Sequence, residues 1–331
     1  MKAIVSFVAV LLLVAIGYMG GSAGSTSRFL FGVVAPYSAF AIFVVFMIVR
    51  ILKWASSPVP FRIPTTAGQQ KTLPWIKDSK IENPSSVFGV VIRMALEVLV
   101  FRSLFRNLKT QLHEGGRLAY GEAKWLWMAG LAFHYSFAII LFRHLRFFLE
   151  KVPYPIQLVE SLDSFLQIGA PLLYLTDVAL LGAVTYLFIR RVALPQVKYI
   201  SLIADYFPLF LIFAIGATGV LMRYFTKTDI VGVKTLAMGL ISFNPAVPET
   251  IGAMFYTHVF LLSVLFAYFP FSKLVHMGGV FMSPTRNMAN TSREKRHINP
   301  WNYPVHVHTY EEYENDFRDK MKEAGLPVEK E

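Results

Sequence analysis

The chain has 331 residues, of which 55% are hydrophobic and only 16% charged, against roughly a quarter charged in an ordinary soluble domain. Its formal net charge is +11 and it contains no cysteine, which excludes disulfides, thiolate-held iron–sulfur clusters and covalently attached c-type haem. Because the apolar residues lie in long runs, the positive charge reads as membrane topology and contact with anionic membrane lipid, and no nucleic-acid partner is expected.

The pattern predicts an all-α membrane protein: a bundle of about six transmembrane helices, one amphipathic surface helix and a polar C-terminal tail. The first apolar run, residues 3–19, follows Lys2 and precedes the small residues Gly20 to Ala23. A signal peptide shares that pattern, but a retained helix is expected here. The second run, residues 29–52, is long enough to cross a ~30 Å hydrocarbon core. A polar, Pro-rich stretch from Trp54 to Ser86 reads as loop. In residues 87–112, Arg93, Glu97, Arg102, Arg106 and Lys109 interleave with Val, Leu and Phe. Five charges in one span would be costly at mid-bilayer, so this segment reads as an amphipathic helix on the membrane surface or against a partner.

Four further spans are expected at residues 125–149, 166–189, 200–225 and 251–274, with loops near Tyr154 and from Thr226 to Glu249. Residues 1–281 would form the membrane domain and 282–331 a water-soluble tail bearing Glu311, Glu312, Glu314 and Asp316. Six spans put both termini on one side. That side collects Lys2, the basic 50–124 loop, Arg190, Arg191 and Lys198, so both termini are predicted cytoplasmic in a multi-pass cell-membrane protein.

Titratable groups inside a membrane are expensive and point to function. His134 and His144 share the third span; His258 lies in the sixth, with His276 at its inner end. Neutral imidazole is a suitable axial ligand for haem iron. Ten residues separate His134 from His144, a rise of roughly 15 Å; eighteen separate His258 from His276, roughly 27 Å and a whole number of turns. Antiparallel helices would pair His144 with His258 near the outer side and His134 with His276 near the inner side. The unequal rises call for tilt or for a kink at Pro270. One haem, with the other histidines structural, is the rival count. Arg143, Arg146 and Arg223 are candidates for haem propionates or for lipid head groups. Gly216 and Gly219 suit close approach of a macrocycle or of a neighbouring helix. Asp177 and Asp205 are proton relays or plain hydrogen-bond acceptors. His306-Val-His308 in the tail could touch a metal, but with His297 it reads as part of a solvated tail; His113 in the basic loop carries no specific signal.

These histidine spacings, together with the Met94–Phe105 stretch and the Gly216–Arg223 segment, resemble the gamma-subunit family of respiratory nitrate reductase. The tail strings Ser283-Pro284-Thr285-Arg286-Asn287 and Arg296 to Asn302 look like the DsrM-type cytochrome b subunits of DsrMKJOP complexes in sulfate reducers. The resemblance implies two haem b groups, with His144 and His258 on the outer iron and His134 and His276 on the inner one. It implies electron exchange with menaquinone or menaquinol, and partners of DsrK type (a cytoplasmic iron–sulfur subunit), DsrJ, DsrO and DsrP type. It also implies a quinone site beside the outer haem, where Arg143, Lys151, Glu160 and Asp163 are the nearby candidates. An extra first span and a long tail depart from the nitrate-reductase pattern. A secondary transporter with His/Asp proton relays, or a non-redox membrane anchor, is the alternative.

Overall fold

The computed structural model describes residues 1–58, 68–72, 75–290 and 304–330. Helix α1 spans Lys2–Ser22, and α2 runs over Gly24–Ala55 with a π-helical segment at Leu30–Val34. Helix α3 is Val87–Val100, followed after Phe101 by a single turn, Arg102–Phe105. An antiparallel hairpin follows, β1 (Leu108–His113) and β2 (Arg117–Glu122). Helix α4 is Lys124–His144, prolonged by a 3-10 turn to Phe148, and α5 is Tyr154–Asp163. Helix α6 is Leu175–Ala193, and α7 is Ile203–Val220 with a π-turn to Thr226. Helix α8 is Ile230–Ile241, α9 is Ala253–Tyr268, and α10 in the tail is Tyr310–Glu323.

Among the described residues, five helical segments are long and apolar enough to cross a membrane: Lys2–Ser22, Gly24–Ala55, Lys124–Phe148, Ile203–Thr226 and Ala253–Phe271. Apolar side chains such as Leu12, Phe40, Ile48 and Leu141 stand exposed on them, which suits lipid as the surrounding medium. Helix α6 has a similar length but carries Asp177, Arg190 and Arg191.

The bundle core lies between α1, α6, α7 and α9, around Val10, Val184, Leu211, Ile215 and Leu261. Gly17 and Gly21 form a small-residue pair one turn apart, which lets two backbones approach closely. A Cβ on Gly17 would stand 3.0 Å from the Thr257 Cα, and one on Gly21 2.8 Å from the Ala253 carbonyl oxygen. Helix α1 is therefore part of the packed bundle. Helix α4 packs along α6, whereas α9 packs along α1, α2 and α7. The two histidine-bearing helices are thus held by different neighbours and face each other across their histidine rings.

Several expectations need correction. The amphipathic helix does not reach residue 112: it stops at Val100, where Phe101 turns left-handed with φ 50°. The following residues alternate and pair as the hairpin, so the protein is not purely α-helical. Nor do the charges of α3 face outward. Val87, Phe88, Val91 and Leu99 are exposed while Arg93 is buried. Glu97 is turned inward to accept from the Ser103 backbone N–H and to pair with Arg286 of the tail at 2.9 Å. Arg102 and Arg106 both pair with Glu82; burial opposes the Glu82 charge, but the two guanidiniums outweigh it and hold the carboxyl below its usual range.

The fourth long helix begins at Leu175 and not at Leu166, because residues 166–174 are non-helical. Asp177, the twelfth residue of the expected 166–189 span, therefore lies in the first turn of the observed helix. The 226–249 loop contains α8. The last helix breaks into 3-10 turns at Phe269–Phe271 and Lys273–Val275, and His276 heads a separate short helix. No single helix face carries both His258 and His276. The tail string from Arg296 to Asn302, with His297, lies outside the described residues.

Replacing Gly21 by Leu is expected to destabilise the bundle by about 1–3 kcal/mol, the usual cost of overpacking. Gly252→Ala, where a Cβ meets nothing within 4 Å, should be silent. Thermal unfolding of the two variants in detergent checks this.

Candidate redox site

The site starts from a constraint on imidazole. In a medium without water each ring nitrogen needs a partner, and the partner on one nitrogen sets the tautomer of the other. In α4, the Nδ1 of His134 lies 2.7 Å from the Gly130 carbonyl oxygen, and that of His144 lies 2.7 Å from Ile140 O. His276 Nδ1 lies 2.9 Å from Lys273 O. A carbonyl can only accept, so each Nδ1 carries the proton and each Nε2 presents a lone pair. His258 reaches the same state through Thr218. The Thr218 hydroxyl stands 2.9 Å from the carbonyl oxygens of Ala214 and Ile215 and 2.9 Å from His258 Nδ1. Its single proton goes to a carbonyl, and its oxygen accepts from Nδ1–H.

The four rings form two pairs. His144 and His258 are nearly parallel, interplanar angle 13°, with centroids 6.5 Å apart. His134 and His276 are 6.0 Å apart at 83°. A metal ion between two imidazoles, each metal–nitrogen bond about 2 Å, sets the centroids roughly 6 Å apart. The donor set, tautomer and spacing therefore fit an iron with two histidine ligands at each pair. A Cβ placed on Gly219 would stand 3.6 Å from His258 Cε1, so this glycine faces the ring. A Cβ on Gly216 meets Leu181 at 3.0 Å, so that glycine serves the α6–α7 contact.

Around the inner pair, the Phe101 and Phe133 rings meet His134 edge-on, each at 4.9 Å. The left-handed turn that places Phe101 leaves carbonyls at the end of α3 without helical partners. Two side chains of α4 supply them: Trp127 donates to Val100 O at 2.7 Å and Tyr135 to Leu99 O at 2.8 Å. The Met94–Phe105 stretch is thereby tied to the histidine helix.

Around the outer pair, Arg143 is buried and lies 2.9 Å from Asp163 and 2.8 Å from Asp177. Tyr174 is sandwiched between two guanidiniums, Arg143 at 3.7 Å and Arg223 at 4.0 Å from its ring centre. Asp163 also accepts from the Thr176 backbone N–H and hydroxyl. Arg146 pairs with Glu160 at 2.8 Å, while Lys151 is exposed. The candidates Arg143, Asp163 and Arg223 thus converge on one cluster, and Arg146 and Glu160 engage each other. Asp177 joins that cluster. Asp205 does not: it bonds the Leu202 N–H at the start of α7 and pairs with Lys273.

Among the described residues, buried guanidinium nitrogens without a hydrogen bond include Nε of Arg102, Arg143 and Arg223 and both Nε and Nη1 of Arg93; the Arg143 Nε faces Asp163, and the others suit an anionic ligand. Arg93 was not singled out in the sequence because its spacing matched a solvated helix face. In the tail, His306, His308 and Glu312 are exposed and bring one ligand atom each within 4.8 Å of one another. Glu312 also caps α10 by accepting from the Thr309 N–H.

The nitrate reductase gamma subunit family model matches residues 85–291, which include all four histidines. The chain is 45% identical over 279 residues to the Hdr-like menaquinol oxidoreductase cytochrome b-like subunit of Archaeoglobus fulgidus, covering 82% of this chain and 83% of that one. It is 41% identical over 273 residues to the protein of the same description in Archaeoglobus profundus, covering 80% and 81%.

Arg143→Leu would leave Asp163 buried and Asp177 half-buried without their cation, at a cost of about 3–5 kcal/mol. The expected result is a protein that accumulates poorly or melts well below the parent, with Arg143→Lys intermediate. Thermal unfolding of the purified variants measures it.

Proposed function

The chain belongs to the nitrate reductase gamma subunit family, an integral membrane family, and from that premise we propose that it is a dihaem cytochrome b that exchanges electrons between menaquinol or menaquinone and a cytoplasmic iron–sulfur partner. The observation that carries this reading is the pair of histidine couples, each at haem-ligand spacing with Nε2 free. Bound haem iron would supply reversible one-electron transfer, and with no cysteine in the chain histidine is the donor set that fits it. His144 and His258 would hold the outer haem, and His134 and His276 the inner one. Arg223, with Arg143 behind it, stands ready for outer propionates, and Arg146 is held nearby by Glu160. The names of the two Archaeoglobus relatives support menaquinol as the small-molecule substrate.

Six crossings, α6 included, follow from this reading. The N-terminus of α1 touches the start of α7 through Lys2 to Ser201 O at 2.8 Å and Ser6 to Ile203 O at 3.0 Å. The end of α9 returns there through Lys273 and Asp205. Lys2, Arg190, Arg191, Lys198 and Lys273 thus gather at one end, the cytoplasmic one by the positive-inside rule. Both termini belong to it. The exposed apolar face of α3 and the charged tail helix α10 would dock the iron–sulfur partner. The tail string resembling DsrM favours a DsrK-type subunit in that place, with DsrJ, DsrO and DsrP types completing a complex for sulfate or sulfite respiration.

The test is a reduced-minus-oxidised absorption spectrum of the purified chain, with extraction to count haems. Two non-covalent b haems per polypeptide are expected. His144→Ala and His258→Ala should each remove the same haem, and His134→Ala the other. A chain that purifies colourless without haem loss overturns the reading in favour of a transporter or an anchor.

A further inference from the structure

Helix α6 and the π-turn end of α7 enclose a groove of about 700 Å³. Val178, Leu181, Gly182, Val220 and Phe225 line it, and Asp177 and Tyr224 form its polar end. Val178 and Phe225 are exposed, so the groove opens sideways, toward the hydrocarbon around the bundle. An apolar cleft with a few convergent polar groups is the usual form of a small-molecule site.

The polar end is not chemically closed. Asp163 and Asp177 share Arg143, but they differ in what remains. Asp163 also takes two hydrogen bonds from Thr176, at 2.9 and 2.6 Å. Asp177 gives Oδ1 to Arg143, and its Oδ2 receives one long bond, from the Tyr224 hydroxyl at 3.3 Å. That hydroxyl in turn accepts from the Tyr174 N–H at 3.0 Å, which fixes its oxygen and leaves its proton free to turn. One open carboxylate oxygen and one steerable phenol proton therefore meet at the head of an apolar channel.

The groove is also coupled to the outer histidine pair on both walls. Arg143, the partner of Asp177, is the residue before His144. On α7, Thr218 holds the His258 Nδ1, and Val220 two residues on lines the groove.

Resting on the menaquinol reading above, we infer that this groove seats the ring of an isoprenoid quinone, with a ring oxygen held by Asp177 and Tyr224 and the isoprenoid chain lying along the lipid-facing wall. A quinol hydroxyl donates to the open Asp177 oxygen; a quinone carbonyl accepts from Tyr224. A phospholipid does not suit the same end, because its acyl chain offers no donor to a carboxylate and its phosphate is repelled by one. This seat lies between α6 and α7, apart from exposed Lys151 and from the Arg146–Glu160 pair.

The test uses the full haem-loaded chain in lipid nanodiscs, with an azido derivative of 2-methyl-1,4-naphthoquinone as photolabel and the parent naphthoquinone for affinity. Gly182→Phe is the discriminating variant, because no atom lies within 4 Å of a Cβ at Gly182 and the new ring fills the groove without displacing a neighbour. Label is expected within residues 173–189 and 220–225. Gly182→Phe should weaken naphthoquinone binding about tenfold or more with haem content unchanged, and Tyr224→Phe should weaken it by a smaller factor through one lost hydrogen bond. If the parent chain binds the probe and naphthoquinol reduces its haems, yet Gly182→Phe behaves like the parent or the label maps elsewhere, the seat is wrong and the function stands. A plug that displaces only co-purified phospholipid assigns the groove to lipid and also overturns the seat. If the parent neither binds the probe nor is reduced by naphthoquinol, the functional reading itself falls.

Discussion

The hydrogen bond on each histidine Nδ1 is the constraint around which the bundle is arranged. An imidazole inside an apolar bundle cannot leave a donor unpaired without a cost of a few kcal/mol. The α4 helix solves this locally: the carbonyl four residues back, already bonded in the helix, accepts a second hydrogen bond from the ring. The two α4 rings meet different partners, His144 beside His258 of α9 and His134 beside His276 of the short helix beyond it. On α9 the local solution is replaced by Thr218 of α7, which makes the position of His258 depend on the α7–α9 contact. His276 uses a 3-10 turn for the same purpose. Three different arrangements therefore produce one chemical result, a ring with its proton on Nδ1 and a lone pair on Nε2.

The two ends of the bundle handle charge differently. At the His144–His258 end, Arg143, Asp163 and Tyr174 are buried together, with Asp177 half-buried at their edge. Such a cluster offers little net stability, because desolvation offsets attraction, but it fixes the geometry of the residue next to His144. At the His134–His276 end the charges sit on α3 and on the segments around it. Glu82 gathers Arg102 and Arg106, and Glu97 gathers Arg286. These pairs tie three stretches distant in sequence into one cap over the inner histidines. The cap explains why Glu97 of α3 is turned inward: its partners, Arg286 and the Ser103 N–H, are in the protein, and the exposed apolar face is left for lipid or another subunit.

Much of this was legible in the sequence where one periodicity governed one element. The long apolar runs matched five of the six expected spans among the described residues, and the structure brings His144 beside His258 and His134 beside His276 as antiparallel helices would. The legibility ended where a tertiary partner overrode a local pattern. Residues 108–112 continue a helical spacing of charges, yet Gly115 and Gly116, both with positive φ, form a turn that makes a hairpin the better local choice. Pro270 signalled a kink, but the change to 3-10 turns rests on Ser272 capping the Leu274 N–H as well as on proline. The inward turn of Glu97 depends on Arg286, a tail residue nearly two hundred positions away. The Gly17–Gly21 pair, by contrast, was readable as a helix-contact motif and passed unnoticed beside the signal-like small residues that follow.

The exposure of the histidines adds a final asymmetry. His258 is buried, whereas His276 is exposed, on a short helix at the end that carries the tail. In the proposed reading the two ends then serve different exchanges. A hydrophobic electron donor reaches the outer pair from the side, through the lipid, and needs no opening to water there. A soluble partner can only approach from the end of the bundle, where one ligand stands at the surface and the cap of ion pairs fixes its surroundings. Burial at one pair and exposure at the other thus match the phases in which the two exchange partners live, and the kinked, non-helical segment after Tyr268 is what brings the second ligand out to that surface.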